Sequence, residues 1–286
     1  MNASIGRGAR SIVALLAVAA ALTAATGTAA AAPTPVYSNT PVKLPGSFAS
    51  LGYECCQVSE FGGQVSFAAP PAGHVWKNPT VSVVLDVWAC EKGNVTNENC
   101  STVKGTKFEW PITFSIYEVG PGNSVGSKIA AGSKIFKIPY RPSVTPICNT
   151  TQYEKGGWYD KPEGQCYHGF ATKISFPLKL TKLPQNAIIS FAYNTSNYGA
   201  EPQHAPCQST EAGCPYDSLN VAVHQPGEAQ AKTPSVGTDP DLQEVYIAST
   251  YGALFCAPGE ANGTFGLSGP CWNEEQPVMA VTATEG

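Results

Sequence analysis

Residues 80–88 read Thr80-Val81-Ser82-Val83-Val84-Leu85-Asp86-Val87-Trp88, and this stretch decides the fold class. Aliphatic and more polar positions alternate along it with a period of two. Because successive side chains of a β-strand point to opposite faces, one face of this segment is aliphatic and the other is mixed. The aliphatic face comprises Val81, Val83, Leu85 and Val87, and the mixed face comprises Ser82, Val84, Asp86 and Trp88. The pattern predicts a half-buried strand.

The same period recurs in residues 110–117 and 174–180. Pro111 and Pro177 lie within these segments and have no backbone N–H to donate to a neighbouring strand, so each is expected at a sheet edge or a bulge. The apolar faces comprise Trp110, Ile112, Phe114 and Ile116 in the first segment, and Ile174, Phe176, Leu178 and Leu180 in the second. Further strands are predicted at residues 64–68, 133–139, 187–194, 219–224, 244–248 and 277–282.

Segments rich in turn-forming residues separate these strands, at residues 70–73, 120–123 and 226–241. The chain contains 28 Gly and 24 Pro, which is typical of many turns. No segment has the pattern of an amphipathic helix. We therefore predict an all-β fold, a two-sheet β-sandwich of jelly-roll type, with an open barrel as the alternative.

The first 31 residues have the features of a secretory signal peptide. Two arginines precede an apolar run over residues 12–25, and small residues follow at Ala29 and Ala31. The run is shorter than the roughly 20 residues that a membrane helix needs. We predict a signal peptide at residues 1–31 and a single secreted β-sandwich domain at residues 32–286. The mature chain is expected to be extracellular, with no integral membrane segment.

The charge of the mature chain bears on its partners. Without the two arginines of the leader, 15 Lys and Arg face 21 Asp and Glu, which gives a net charge of about −6. Nucleic-acid phosphates require a basic surface, so nucleic acid is excluded as an expected partner.

Ten cysteines in an exported chain predict an oxidised framework. Eight of them form four pairs that are close in sequence and flank loop-like segments. A disulfide within each pair would join the two ends of a loop between strands. Each such bridge is expected to stabilise the fold by roughly 2–3 kcal/mol. The predicted pairs are Cys90 with Cys100, Cys148 with Cys166, Cys207 with Cys214, and Cys256 with Cys271.

The adjacent cysteines Cys55 and Cys56 leave three alternatives open. If the other eight pair locally, these two either bond each other or stay reduced. A vicinal bridge is strained, since neighbouring Cα atoms lie about 3.8 Å apart and a disulfide usually spans roughly 4.4–6.8 Å. In a strand the two thiols would instead point to opposite faces and could reach different distant partners.

Candidate catalytic and metal-binding residues are few. Ser124 lies in a G-x-S-x-G match at residues 122–126, but an apparent strand follows it instead of a helix, which predicts a hairpin loop and not a nucleophile elbow. Asp239 and Asp241 could hold Ca²⁺, although a solvated acidic turn is preferred. No catalytic residue, metal or cofactor is therefore predicted. The histidines are expected at the surface, at His74, His168, His204 and His224.

Aromatic loops suggest a binding function instead. Flat rings can cover the apolar C–H patches of a sugar while amides and carboxylates bond its hydroxyl groups. Trp88 and Asp86 share one face of their strand and offer a second surface of this kind. The alternative is that the rings pack under long loops. The candidate ligand-binding residues are Trp158, Tyr159 and Asp160 in one loop, and Asn194 and Tyr198 in another.

Three functions are consistent with these features. The first is a secreted non-enzymatic protein that binds a carbohydrate or a cell-envelope polymer through its aromatic loops. The second is a polysaccharide-acting hydrolase or lyase that uses a pair of carboxylates. The third is a structural component of the envelope or spore coat.

Several motifs also resemble a family of uncharacterised secreted β-sandwich proteins from high-G+C Gram-positive bacteria. The resemblance covers most of the chain from about Tyr37 to Ala248 and implies secretion and a β-sandwich, but no activity. The motifs are LPGSFASLGYE, SEFGGQVSFA, VWAC, KIPYRPS, AYNTSNYG, YDSLNVAV and SVGTDPD.

Overall fold

The computed structural model describes residues 32–149, 155–198, 207, 210–257 and 261–286. The predicted signal peptide lies outside the described residues. The described ranges are built from β-strands and turns, with one four-residue α-helix and short 3-10 helices at Pro121–Asn123, Pro146–Cys148, Pro215–Ser218 and Gly252–Leu254, so the fold is all-β. The strands are β1 Thr34–Ser38, β2 Ser50–Gly52, β3 Val58–Ser66, β4 Trp76–Val87, β5 Lys107–Val119, β6 Val125–Pro139, β7 Trp158–Asp160, β8 Gln165–Tyr167, β9 Ala171–Pro177, β10 Asn186–Ala192, β11 Leu219–Ala222, β12 Tyr246–Ser249, β13 Gly266–Leu267 and β14 Met279–Glu285; the helix is α1 Ala229–Lys232.

The first sheet is centred on β4. Val81 pairs with both Val281 of β14 and Phe176 of β9, so β14 and β9 lie on opposite edges of β4. Further along β4, Leu85 pairs with β9 on one side and with β11 on the other. Strand β11 therefore lies on the same side of β4 as β14 does. The outer strands β1 and β2 pair with β14 and β11 respectively. All of these pairings are antiparallel.

The second sheet is also antiparallel, in the order β13-β12-β3-β10-β5-β6. Its longest pairing is the hairpin of β5 and β6, whose loop contains Ser124. This confirms the hairpin expected at the G-x-S-x-G match. A separate two-stranded ribbon joins β7 and β8.

The core lies between the two sheets. The four aliphatic residues predicted on one face of residues 80–88 are each fully buried and belong to one cluster with Ile112, Phe114 and Ile116 of the second sheet. Phe114 and Phe176 bring rings from the two sheets to within 5.8 Å of each other. Burial of each such side chain contributes roughly 1.5–3 kcal/mol, so this facing pair of sheets is the main stabilising contact.

The mixed face of β4 is more buried than its sequence predicts. Val84 and Asp86 are both 0% exposed, because Leu44 and Phe48 pack over this end of the strand. The prediction of a half-buried strand is therefore wrong for the second half of β4. Alternation identifies which face meets the other sheet, but it carries no information about a loop that returns from elsewhere in the chain.

The remaining strand predictions agree with the structure in position more than in length. Each predicted segment overlaps an observed strand, while β3 begins six residues earlier than predicted. At Pro111, β5 pairs with β6 on one side only, because its pairing with β10 begins at Thr113. Pro177 is the last residue of β9, which among the described strands pairs only with β4. Both prolines thus avoid a position between two paired strands. Strands β1, β2, β7, β8 and β13 were not predicted, and most of them are too short to show a period.

All four local disulfides are present: Cys90–Cys100, Cys148–Cys166, Cys207–Cys214 and Cys256–Cys271. Long-range bridges to the doublet are therefore excluded. Cys55 and Cys56 are unbonded thiols with their Sγ atoms 2.8 Å apart, so the vicinal bridge is not closed in this structure. In the described part of the chain, no helix has the length and apolar character needed to cross a membrane.

Candidate functional site

Trp158, the first of the predicted ligand-binding residues, supports its loop from the inside. Its side chain is only 8% exposed. The indole Nε1 donates a 2.7 Å hydrogen bond to the carbonyl oxygen of Gly169, and the ring packs against Tyr167 and Phe170. Trp158 is therefore mostly buried within its own loop.

The other predicted residues are partly exposed. Tyr159 and Asp160 lie in the β7–β8 ribbon, whereas Asn194 and Tyr198 lie in the loop after β10. The backbone of this second loop is ordered by hydrogen bonds: Trp110 Nε1 donates to the Asn194 oxygen at 2.9 Å, and the Thr195 amide donates to the Tyr198 oxygen at 2.9 Å. We call residues 194–198 the tyrosine loop.

A cleft of about 280 Å³ opens at the end of the first sheet, beside the tyrosine loop. Strand β11 lies between β2 and the end of β4, and Asn220 is in register with both Gly52 and Asp86. This pairing brings residues that are distant in sequence onto one surface. The cleft is lined by Ser50, Gly52, Glu54, Cys55, Trp88, Asp217, Ser218 and Asn220.

Trp88 supplies the aromatic wall of the cleft. All five tryptophans lie in the described ranges, and four of them are at most 9% exposed; Trp88 is the exception, with a partly exposed ring. Its indole Nε1 donates to Asp86 Oδ2 at 2.7 Å, and its amide donates to the Ser218 oxygen at 2.9 Å. The ring of His168 lies 5.7 Å from the indole. Trp88 is therefore both accessible and held in place.

Asp86 anchors this arrangement from below. Its carboxylate accepts hydrogen bonds from Ser47 Oγ at 3.0 Å, from the Phe48 amide at 3.1 Å and from Trp88. Burial raises the pKa of Asp86, and these donors oppose the rise. Gly169 packs directly on the carboxylate, since a Cβ there would lie 1.9 Å from Oδ2.

Arg141 is a second buried charge near Asp86. It is 0% exposed, and its Nη2 donates to the Gly156 oxygen at 2.7 Å. Burial lowers the pKa of Arg141 to about 10, while the negative charge of Asp86 acts in the opposite direction. The negative charge of Asp86 therefore favours the charged form of Arg141.

Polar groups form the opposite side of the cleft. Asp217 accepts hydrogen bonds from the Ser196 amide at 2.6 Å and from Ser196 Oγ at 2.5 Å. The Glu54 carboxylate accepts a hydrogen bond from the Asn197 side chain. Two carboxylates of the cleft therefore hold the tyrosine loop against its rim. Asn220 Nδ2 donates to Ser50 Oγ at 3.2 Å, and both residues line the cleft.

Cys55 forms the exposed corner of the cleft. Its thiol lies 3.4 Å from the Gly52 carbonyl oxygen and 2.8 Å from Cys56 Sγ. A hydrogen bond from Cys56 lowers the pKa of Cys55 to about 7, although partial burial and the charge of Glu54 oppose this. The pKa of Cys56 is raised, first because its proton is held by that hydrogen bond and then by burial.

The other candidate residues form no comparable site. Ser124 Oγ donates to the Pro121 oxygen at 2.8 Å and is followed by β6. The Asp239 and Asp241 carboxylates accept backbone amides at 3.0 and 3.1 Å, as turn residues do. Among the described residues, no group of three or more His, Cys, Asp and Glu is arranged to hold a metal ion.

One histidine departs from its predicted surface position. His224 is 1% exposed, with Nδ1 2.5 Å from Glu228 Oε2 and Nε2 2.8 Å from the Asn39 oxygen. It is buried because β11 continues into a bridge with the segment before β14. His74 contacts Glu285 at 2.8 Å, His168 contacts the Lys155 oxygen at 2.7 Å, and His204 lies outside the described residues.

No protein-family model, curated protein or solved structure matches this chain.

Proposed function

We propose that this protein is a secreted, non-enzymatic binder of a carbohydrate or cell-envelope polymer, and that the Trp88 cleft holds one unit of that polymer. A single observation carries the proposal: the one partly exposed tryptophan ring faces a cleft whose other walls are amide, hydroxyl and carboxylate groups. Trp88 takes the place of Trp158, whose ring is buried.

The chemistry of the cleft suits a sugar. An indole face covers the apolar C–H side of a pyranose ring, while Asn220 and Ser50 offer hydrogen-bonding groups to its hydroxyls. Ligand pockets for drug-sized molecules occupy roughly 300–1,000 Å³. A volume of about 280 Å³ lies just below this range and matches one residue of a chain better than a long segment.

The use of the two acids favours binding over hydrolysis. A glycosidase requires two carboxyl groups free to act on the sugar, one as acid and one as base or nucleophile. Here Asp217 and Glu54 both accept hydrogen bonds from the tyrosine loop. They shape the rim of the cleft by holding the tyrosine loop.

Four disulfides support the extracellular location, since such bridges persist in oxidising compartments. The proposal includes a cleaved leader at residues 1–31 and membership of the secreted Gram-positive family that the sequence motifs resemble. It also includes jelly-roll connectivity for the sandwich, which the two six-stranded antiparallel sheets accommodate.

The experiment is retention on insoluble polysaccharides and on peptidoglycan. Wild-type protein is expected in the bound fraction of at least one polymer, and Trp88→Ala is expected to reduce its retention at least tenfold. Tyr159→Ala is the matched control, because it removes a partly exposed ring from the other predicted loop. Peptide mapping of the four disulfides shows that each variant is folded.

Other outcomes would overturn the proposal. Release of soluble oligosaccharides by wild-type protein favours the hydrolase or lyase. Absence of retention together with self-association favours the structural envelope component. Retention that depends on Tyr159 and not on Trp88 moves the site to the β7–β8 ribbon.

A further inference from the structure

The Cys55–Cys56 doublet is a pair of thiols in a chain whose other eight cysteines are bridged. The two Sγ atoms are 2.8 Å apart, which is about 0.8 Å longer than the roughly 2.05 Å of a disulfide bond. No other thiol competes for either of them. Each of the two sulfurs therefore has the other as its neighbouring thiol.

Local backbone structure explains why adjacent side chains converge here. Residues 53–58 form a tight turn, closed by hydrogen bonds from the Val58 amide to the Tyr53 oxygen at 2.9 Å and from the Gln57 amide to the Glu54 oxygen at 3.4 Å. Gln57 adopts a left-handed conformation with φ of 53°. In a strand, neighbouring side chains would point to opposite faces. The turn instead places both sulfurs on one side.

The turn is also held against the second sheet. Ser249 Oγ of β12 donates to the Cys56 carbonyl oxygen at 2.7 Å, and the Thr250 side chain contacts that of Gln57. The doublet is thus fixed at a boundary between the Trp88 cleft and the end of β12.

The two thiols differ in access and in acidity. Cys55 is exposed and lines the cleft, whereas Cys56 is partly buried and packs against the core. With a pKa of about 7, about half of Cys55 is thiolate at neutral pH. The pKa of Cys56 is raised, so it keeps its proton until Cys55 has reacted. Cys55 therefore has the properties of an attacking cysteine, and Cys56 has those of a resolving cysteine.

We propose that the doublet is a thiol–disulfide exchange site for small disulfides of the form RSSR that enter the Trp88 cleft. The Cys55 thiolate attacks one sulfur of RSSR, which forms a Cys55–S–S–R mixed disulfide and releases RS⁻. Cys56 then loses its proton to solvent and attacks Cys55 Sγ, which forms the vicinal disulfide and releases a second RS⁻. Two protein thiols are oxidised and one RSSR is reduced to two thiols.

The acidity of Cys55 sets the expected size of the rate effect. A drop in the thiol pKa from about 8.5 to about 7 raises the thiolate fraction at pH 7 about 15-fold. The more acidic thiolate is also about fivefold less nucleophilic, which reduces this gain. A net gain of about threefold over an ordinary thiol remains. The optimum for this chemistry lies where the thiol pKa is close to the ambient pH.

The test uses full-length protein treated with one equivalent of dithiothreitol and then desalted, with hydroxyethyl disulfide as the probe. Wild-type protein is expected to lose two hydrogens, located in one peptide that contains both cysteines, without accumulating a mixed disulfide. Cys56→Ser is expected to trap the hydroxyethylthio group on Cys55. Cys55→Ala is expected to react about threefold more slowly at pH 7 than Cys56→Ser does.

A third variant tests whether the reactivity of Cys55 depends on the hydrogen bond from residue 56 or only on the exposure of its thiol. Serine at position 56 can still donate to the Cys55 thiolate, whereas Cys56→Ala cannot. The pH midpoint of mixed-disulfide formation is therefore expected near 7 in Cys56→Ser and well above 8 in Cys56→Ala.

Three results would overturn the proposal. The first is a mixed disulfide that persists on Cys55 in the wild-type protein. The second is equal rates and equal pH midpoints in the three variants. The third is wild-type protein in which Cys55 and Cys56 both remain thiols after exposure to hydroxyethyl disulfide.

Discussion

The indole Nε1 of Trp88 donates a 2.7 Å hydrogen bond to Oδ2 of Asp86, two residues earlier in the chain. Side chains two apart on a strand share a face, so the bond follows from the period of β4. It joins a partly exposed ring to a fully buried carboxylate, which Ser47 and Phe48 also hold. The ring therefore enters a binding event already oriented, and little conformational entropy is lost there.

Removal of the Asp86 carboxylate tests this anchoring. Asp86→Ala leaves three donors without their acceptor and is expected to lower the free energy of unfolding by about 2–4 kcal/mol. Asp86→Asn keeps an acceptor oxygen and is expected to cost less. Denaturant unfolding measures both. Ser82→Ala, which removes an exposed hydroxyl pair on the same face of β4, is the control and should change stability by less than about 1 kcal/mol.

Gly169 allows the loop to close on Asp86. In Gly169→Ala the new Cβ would lie 1.9 Å from Asp86 Oδ2, so the carboxylate or the loop must move. We expect a loss of stability of at least about 2 kcal/mol and a shift of the Trp88 indole resonance. Gly266→Ala is the control, because the nearest atom to its Cβ is 3.9 Å away. Equal effects of the two substitutions would contradict the role of Gly169.

Asp239 predicts a pH dependence of stability. Burial raises the pKa of Asp239 to about 8, with the nearby charge of Asp241 adding to the rise. The native state then binds a proton at Asp239 more tightly than the unfolded state does, since the pKa of an unfolded aspartate is about 3.9. Protonation of Asp239 therefore stabilises the native state at low pH, and this stabilisation is lost as the pH rises from about 4 to about 8. Asp239→Asn keeps an oxygen for the Asp241 amide. The free energy of unfolding of Asp239→Asn, relative to that of the wild type, is expected to increase between about pH 4 and about pH 8 and to level off above about pH 8. Denaturant unfolding at successive pH values measures this difference.

The Cys148–Cys166 bridge holds the loop that contains the β7–β8 ribbon. Its cysteines are 18 residues apart, against 7 for Cys207–Cys214. If the bridges act by restricting the unfolded chain, replacement by alanine pairs is expected to cost about 3.2 kcal/mol for the first and about 2.4 kcal/mol for the second. Thermal and denaturant unfolding of both double variants measures these losses. A larger loss for the shorter bridge would contradict this explanation.

The sequence predicted the parts of the fold that depend on local pattern. The alternation in residues 80–88 identified the buried face of β4, because a strand has one period and one core-facing side. The four local disulfides followed from cysteines that bracket loops. The cover of Leu44 and Phe48 over Val84 could not be predicted, because it depends on where a segment 40 residues away returns in space.

The site was predicted only in part for the same reason. Asp86 and Trp88 were recognised as sharing a face, since that relation is local. The rest of the cleft comes from β2, β11 and the turn at 53–58, which the strand pairing brings together. The sequence offers Trp158 either as a ligand-binding ring beside Asp160 or as a ring packed under its loop, and local pattern does not decide between the two. A signal for the buried position was available, since the aromatic residues Tyr167 and Phe170 follow shortly after Cys166 and pack against the Trp158 ring.

The most direct test of the central claim is the indole region of an amide-correlation NMR spectrum, recorded while an oligosaccharide released from the retained polymer is titrated in. The five tryptophans give five indole resonances, assigned by single substitution to phenylalanine. Binding at the cleft predicts that the Trp88 resonance moves most and saturates, while those of the four buried indoles stay in place. A saturating shift at another indole, with the Trp88 signal unchanged, would contradict the account.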